Sequence, residues 1–252
     1  MCIPQNVIMK NIAKSIFCFA LILVLFSFTN NEKIKGEQVL QKMYKRYVGK
    51  WYKNFTFSQT TENFKNDSLI KTSIWHESII YPNLFRITIG EITDGNALIE
   101  KNDSVFNFNK GKIVRRALID DDVTFLLGGM YFMPFKNVIE KTIKEGYDIT
   151  KACETKFEGK AVFIIGVDSV SEKGNQLWIE KDRLIVVRFI KYKPEMKLDV
   201  ILSDYKKVEN GWRENTVAIY LNDKLYQKEK YFDCKANTKI DSSIFDPYHF
   251  KK

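Results

Sequence analysis

Histidine is nearly missing from this chain. Only His76 and His249 occur in 252 residues, beside four cysteines, Cys2, Cys18, Cys153 and Cys234. None of these fall at the close spacings by which cysteine and histidine hold zinc. There is no G-x-S-x-G elbow, no phosphate-binding loop and no dinucleotide fingerprint. Carboxylates such as Glu91, Glu100, Asp103 and Glu154 are scattered, and no two form an acid–base pair at a readable spacing. Arginine-rich tracts and glycine-aromatic repeats are also missing, which argues against nucleic acid. No linker, low-complexity tract or internal repeat divides the chain. These absences point to a non-catalytic binding protein with no cofactor, no metal and no nucleic acid.

What is there is apolar and aromatic: 45% of residues are hydrophobic and 14% are Phe, Trp or Tyr. The net charge is +9; Lys10 and Lys14 sit in a leader expected to be removed, which leaves about +7. That excess is spread along the chain and reads as a solvated surface. Lys10 and Lys14 precede the apolar run Ile16–Phe26. The run is shorter than the ~20 residues of a spanning helix, and a positive flank before it marks a secretory signal peptide. The expectation is a signal over residues 1–29, with Met9 as a second candidate start, and one domain over residues 30–252. The protein is then periplasmic, an uncleaved membrane anchor being the alternative. Export leaves Cys153 and Cys234. An oxidising compartment permits a disulfide between them, and two separate buried thiols are the equal alternative.

Residues Glu37–Trp51 follow a helical period through Val39, Leu40, Met43, Tyr44, Tyr47, Val48 and Trp51. The period then changes to two. Strands are predicted from Phe55 onward, over Ser68–Ile80, Leu84–Ile89, Ala97–Glu100, Ser104–Asn109 and Ile113–Leu118. After a non-alternating interval they resume over Tyr147–Phe157, Ala161–Asp168, Gln176–Glu180, Leu184–Tyr192, Lys197–Lys207, Arg213–Leu221 and Lys224–Asp233. Turn pairs such as Asn66-Asp67, Glu158-Gly159, Asn210-Gly211 and Asn222-Asp223 separate them. A meander this long curls or closes.

The interval is Asp120–Pro134, DDDVTFLLGGMYFMP. Three aspartates are suited to capping a helix, and Pro134 ends it. A second helix follows over Val138–Glu145, stopped by Gly146. The run is rich in Met and Gly, which makes it adaptable. It is expected to be one helix lying against the curved sheet and sharing an apolar cavity with it, although plain core packing explains such residues as well.

Several segments resemble the LolA/LolB-like superfamily, whose best-known members are periplasmic carriers and acceptors of outer-membrane lipoproteins. They are the first helix leading into Phe55-Thr56-Phe57-Ser58-Gln59, the turn Pro82-Asn83-Leu84-Phe85, the turn Thr93-Asp94-Gly95, and the ending Ile240–Pro247 with its F-x-P. The resemblance implies a mainly β (α+β) fold: an incomplete antiparallel β-barrel of about ten to twelve strands, with an N-terminal helix and a lid helix over its mouth. It implies a monomer that shelters acyl chains of a lipid or lipidated protein and touches membrane proteins transiently. Phe125, Leu126, Leu127, Met130, Phe132 and Met133 would form the lid, and Phe55, Phe57, Trp75, Phe106 and Phe108 the cavity walls. The alternative is a sensor or protein-interaction module on the same half-barrel. One departure stands out: the carrier branch has a lid-tethering arginine where this chain has Tyr81. The role is not transferred to Arg86. No lipobox marks the chain as a membrane-anchored acceptor.

Overall fold

The first and last strands lie side by side in the middle of the sheet. In chain order the strands are β1 (Asn54–Lys65), β2 (Ser68–Ile80), β3 (Leu84–Ile89), β4 (Ala97–Lys101), β5 (Ser104–Asn109), β6 (Lys112–Leu118), β7 (Ala152–Phe157), β8 (Lys160–Ile165), β9 (Gln176–Glu180), β10 (Ile185–Lys193), β11 (Met196–Ser203), β12 (Lys206–Val208), β13 (Gly211–Arg213), β14 (Thr216–Leu221) and β15 (Lys224–Ala236). Thirteen of them form one antiparallel sheet in the order β6-β5-β4-β3-β2-β1-β15-β14-β11-β10-β9-β8-β7. β12 and β13 form a separate small hairpin. β6 and β7 are the two edges and do not pair among the described residues, so the barrel is incomplete. This computed structural model describes residues 33–119 and 123–250. The expected signal peptide and the Asp120–Asp122 cap lie outside the described residues. The chain divides into the units Met1–Lys33 and Ile34–Lys252; every element above belongs to the second.

Local chemistry explains the ladder. β1 alternates, with Phe55, Phe57, Gln59 and Thr61 buried and the residues between them half-exposed. Asn66 and Asp67 both have positive φ, as do Asn222 and Asp223, the conformation a tight hairpin turn needs and Asn and Asp tolerate. Several expected strands are shorter or broken: Ala161–Asp168 ends at Ile165, and Lys197–Lys207 breaks at Asp204 and Tyr205. Tyr147–Lys151 is a turn, in which Asp148 Oδ1 accepts from Thr150 N and Thr150 Oγ1 at 3.0 and 2.6 Å. Arg213–Leu221 breaks at Glu214 and Asn215.

Among the described residues three α-helices accompany the sheet: α1 (Gly36–Tyr47), α2 (Val123–Leu126) and α3 (Phe135–Lys144). α1 buries Val39, Leu40, Met43 and Tyr47 in one core with Ile164, Ile165, Leu177 and Ile179 of β8 and β9. Gly36 permits the close approach, since a Cβ there would lie 2.5 Å from Ile165 Cγ2 and 2.9 Å from the Ile149 carbonyl. The helix stops at Tyr47, four residues early, and Trp51 stays in the core as part of the following turn.

A second, smaller core lies on the outer face of β3–β5. Ala97, Ile99, Phe106 and Phe108 pack there against Phe245, Ile244 and Phe250 of the C-terminal segment. Buried Arg86 binds that segment through Nη1 to the Ile244 carbonyl at 2.9 Å.

An apolar cavity beneath a broken covering segment

The expected lid is not one helix. α2 covers four residues, a turn follows, and a 3-10 turn runs over Gly129–Phe132. The interruption at Gly128 has a steric cause. The Gly128 backbone is pressed on two rings, and a Cβ there would lie 2.5 Å from Trp51 Nε1 and 2.8 Å from Tyr81 Cζ. Only glycine lets the chain pass so close. The segment is tied at several points. The Tyr81 hydroxyl donates to the Leu127 carbonyl at 3.4 Å, its ring stacks on Phe132 with centroids 5.4 Å apart, and the Tyr44 hydroxyl donates to the Met133 carbonyl at 3.0 Å. Tyr81, which stands where the resemblance has a tethering arginine, thus touches the covering segment itself. Arg86 faces the other side of the sheet.

Between this segment and the concave face lies a cavity of about 330 Å³, within the range of small-ligand sites. β1 contributes Phe55 and Phe57, β2 contributes Glu77 and Ile79, and β3 contributes Phe85 and Ile87. Val200, Val217 and Tyr231 close the opposite wall, and Val123, Thr124 and Leu127 form the roof. The register explains the grouping: Phe55 pairs with Ile79 and Ile79 with Phe85, while Phe57 pairs with Glu77 and Glu77 with Ile87, so both rows point inward.

The sequence-derived candidates therefore divide. Phe55, Phe57 and Leu127 line the cavity. Phe125, Leu126 and Met130 are buried in the main core beside it, with Phe132 and Met133 packed partly exposed against that core. Trp75 shares the inward face but sits one row beyond Glu77, paired with Gln59, with Nε1 donating to Ser73 Oγ at 3.0 Å. Phe106 and Phe108 do not face the cavity. They belong to the outer core, because Phe106 pairs with Ile99 and Ile99 with Arg86, the row opposite to Phe85 and Ile87. Alternation placed the two phenylalanines on one face, and only the covering C-terminal segment decided which face that was. Cys153 and Cys234 form no disulfide with each other; β7 and β15 stand six places apart in the sheet.

Sequence reading missed the cavity's acids. Glu77 and Glu229 are 7% and 8% exposed, and half-buried Glu214 joins them. Burial, reinforced by Glu229, Glu214 and Glu100, holds Glu77 well above the usual carboxylate range. Burial also raises Glu229, against its hydrogen bonds from Gln227 Nε2 at 2.5 Å and the Tyr231 hydroxyl at 3.2 Å. Glu214 is pushed up to about 7 by burial. A signal for Glu229 was present. Lys224, Lys228 and Lys230 mark one row of β15, which leaves Gln227, Glu229 and Tyr231 on the inward row. Glu77 sits two residues from Trp75, on the row already assigned to the wall.

No family model matches the sequence, and no curated protein matches it either. Solved structures do resemble it. A DUF1329 family protein from Desulfovibrio piger superposes with a TM-score of 0.61 at 12% identity, over 86% of this chain and 98% of its own. A putative outer membrane lipoprotein-sorting protein domain from Vibrio parahaemolyticus gives 0.61 at 12% identity, over 84% and 97%. A LolA superfamily protein from Nitrosomonas europaea gives 0.54 at 12% identity, over 84% and 98%. The chain has the LolA-like fold, an open half-barrel of the kind seen in lipoprotein-sorting proteins.

Proposed function

We propose that this protein is a non-catalytic carrier that shelters an acyl chain of a lipid or lipidated protein outside the cytoplasm. The observation that supports it is the hollow under Leu127, walled by Phe55, Phe57, Ile79, Phe85 and Ile87. An acyl chain needs no hydrogen-bond partners, and each buried methylene gains roughly 0.8 kcal/mol. Tyr81 and Tyr44 hold the covering segment at the Leu127 and Met133 carbonyls, and the Val123, Thr124 and Leu127 side chains form the roof.

Native mass spectrometry of the exported protein, purified and then incubated with fatty acid, phospholipid or lipopeptide, tests this reading. A bound acyl species that disappears in Leu127→Asp supports it. An unliganded protein that takes up none of the three sinks it.

A further inference from the structure

The cavity is short of donors. Glu77, Glu214 and Glu229 all open into it. Glu77, nine-tenths buried, has no hydrogen-bond or ion-pair partner for its carboxyl among the described residues. Next to this group, fully buried Gln59 gives its Nε2 to Thr61 Oγ1 at 2.9 Å and leaves Oε1 without a partner. Among the described residues Arg213 is the one basic side chain lining the space. Its Nη1 already donates to the Glu214 carbonyl at 3.2 Å and to Asn215 Oδ1 at 2.8 Å, and its guanidinium lies over the Phe55 ring.

Buried acceptors without donors are costly, and buried carboxylates more so, unless a cation meets them. An anionic headgroup would add repulsion. A metal ion does not fit: no group of three carboxyl, thiol or imidazole side chains among the described residues is arranged to hold one. We propose that the acidic end of this cavity receives the ammonium group of an amine-bearing amphiphile, whose alkyl chain lies along the apolar wall. An ammonium brings three N–H donors and one positive charge, and its hydrogen bonds to carboxylates are of the strong, charge-assisted kind. Glu77 and Glu229 are the primary contacts. This rests on the acyl-carrier reading and adds the headgroup to it.

Isothermal titration of the full exported chain with decylamine, decanol and decanoate, each below its micelle concentration, separates the two ideas. The tail is common to all three, so the ratios report the headgroup. Decylamine is expected to bind about tenfold or more tightly than decanol, the yield of one charge-assisted bond, with decanoate weakest. In Glu77→Gln the decylamine-to-decanol ratio is expected to fall about tenfold. Glu229→Gln gives the same readout should the first variant fail to fold. Equal binding of decylamine and decanol, tighter decanoate, or ratios unchanged in both variants overturns the amine site and leaves the acyl reading standing. Binding of none of the three overturns the acyl reading as well.

Discussion

Two halves of one sheet have opposite interiors. Over β8–β10, α1 lays Val39, Leu40 and Met43 onto Ile164, Ile165, Leu177 and Ile179, and all seven are fully buried. Over β1–β3 and β15, the covering element is the short segment Val123–Leu127, and a hollow remains. Strands on both sides supply large apolar side chains, so composition does not separate them. The difference lies in what covers them. A three-turn amphipathic helix presents a wide stripe that interdigitates with a sheet. A four-residue helix broken at Gly128 offers a narrow roof, and Tyr52, Tyr81 and Trp51 brace it at the rim instead of filling the space. The hollow half also carries the buried acids, while the acidic groups flanking the filled half are ion-paired, as with Glu180 to Arg183 and Lys160. Within one fold, the filled side is closed by a helix and the hollow side keeps open space beneath its roof.

The largest test of this contrast is truncation on each side. Met43→Ala is expected to cost about 2–5 kcal/mol, as for deleting methylenes from a closed core. Ile219→Ala, on the cavity wall, is expected to cost well under half of that, because its side chain already borders open space. Denaturant unfolding of both measures it, and equal losses would mean the hollow closes in solution.

Next in size is Gly128→Ala. The added methyl meets Trp51 Nε1 at 2.5 Å and Tyr81 Cζ at 2.8 Å, and overpacking of this kind costs about 1–3 kcal/mol. A thermal midpoint unchanged from wild type would show that the rim is looser than drawn.

The acids give the hollow half its own pH dependence. Glu77, Glu214 and Glu229 have folded pKa values above ordinary ones. The folded state therefore keeps protons that the unfolded state releases above pH ~4.3, and stability falls as pH rises from there towards Glu214's value of about 7. Carboxyls held low by partners, such as Glu180, Asp148 and Asp204, act below pH ~4, outside this window. Thermal midpoints between pH 4.5 and 7.5 should decline, and Glu214→Gln, which removes the carboxyl facing Arg213 and Glu229, should flatten the decline. A flat wild-type profile would contradict it.

Smaller still are two changes at the cavity. Ile219→Phe is expected to shift stability by less than about 1.5 kcal/mol because the space accepts the ring, while lowering acyl uptake in native mass spectrometry. Tyr81→Phe removes only the 3.4 Å bond to the Leu127 carbonyl, worth at most about 1 kcal/mol. It is expected to speed ligand exchange while leaving the ring stack on Phe132 in place. Unchanged exchange would place the control of the roof elsewhere.

Sequence alone determined the meander, the hairpin turns, α1 and its buried stripe, and the apolar interval between the two runs of strands. Those features are local: a period of 2 or 3.6, or a pair of residues that tolerates positive φ, is written in consecutive positions. Phe55, Phe57 and Leu127 could be assigned by sequence equally to a cavity or to plain core packing, and the structure puts them around the hollow. What sequence could not decide was which face of β4 and β5 turns inward. Phe106 and Phe108 alternate as a cavity wall would, but a segment more than a hundred residues away covers them from the outside. It likewise could not bring Glu77, Glu214 and Glu229 together, since the three come from β2, from a strand break and from β15. Nor could it show that the helical signal of Val123–Met133 yields to a break at Gly128, because the rings that impose the break belong to Trp51 and Tyr81. Periodicity is set by neighbours along the chain, whereas inside, outside and hollow are set by whichever distant segment arrives to cover a face.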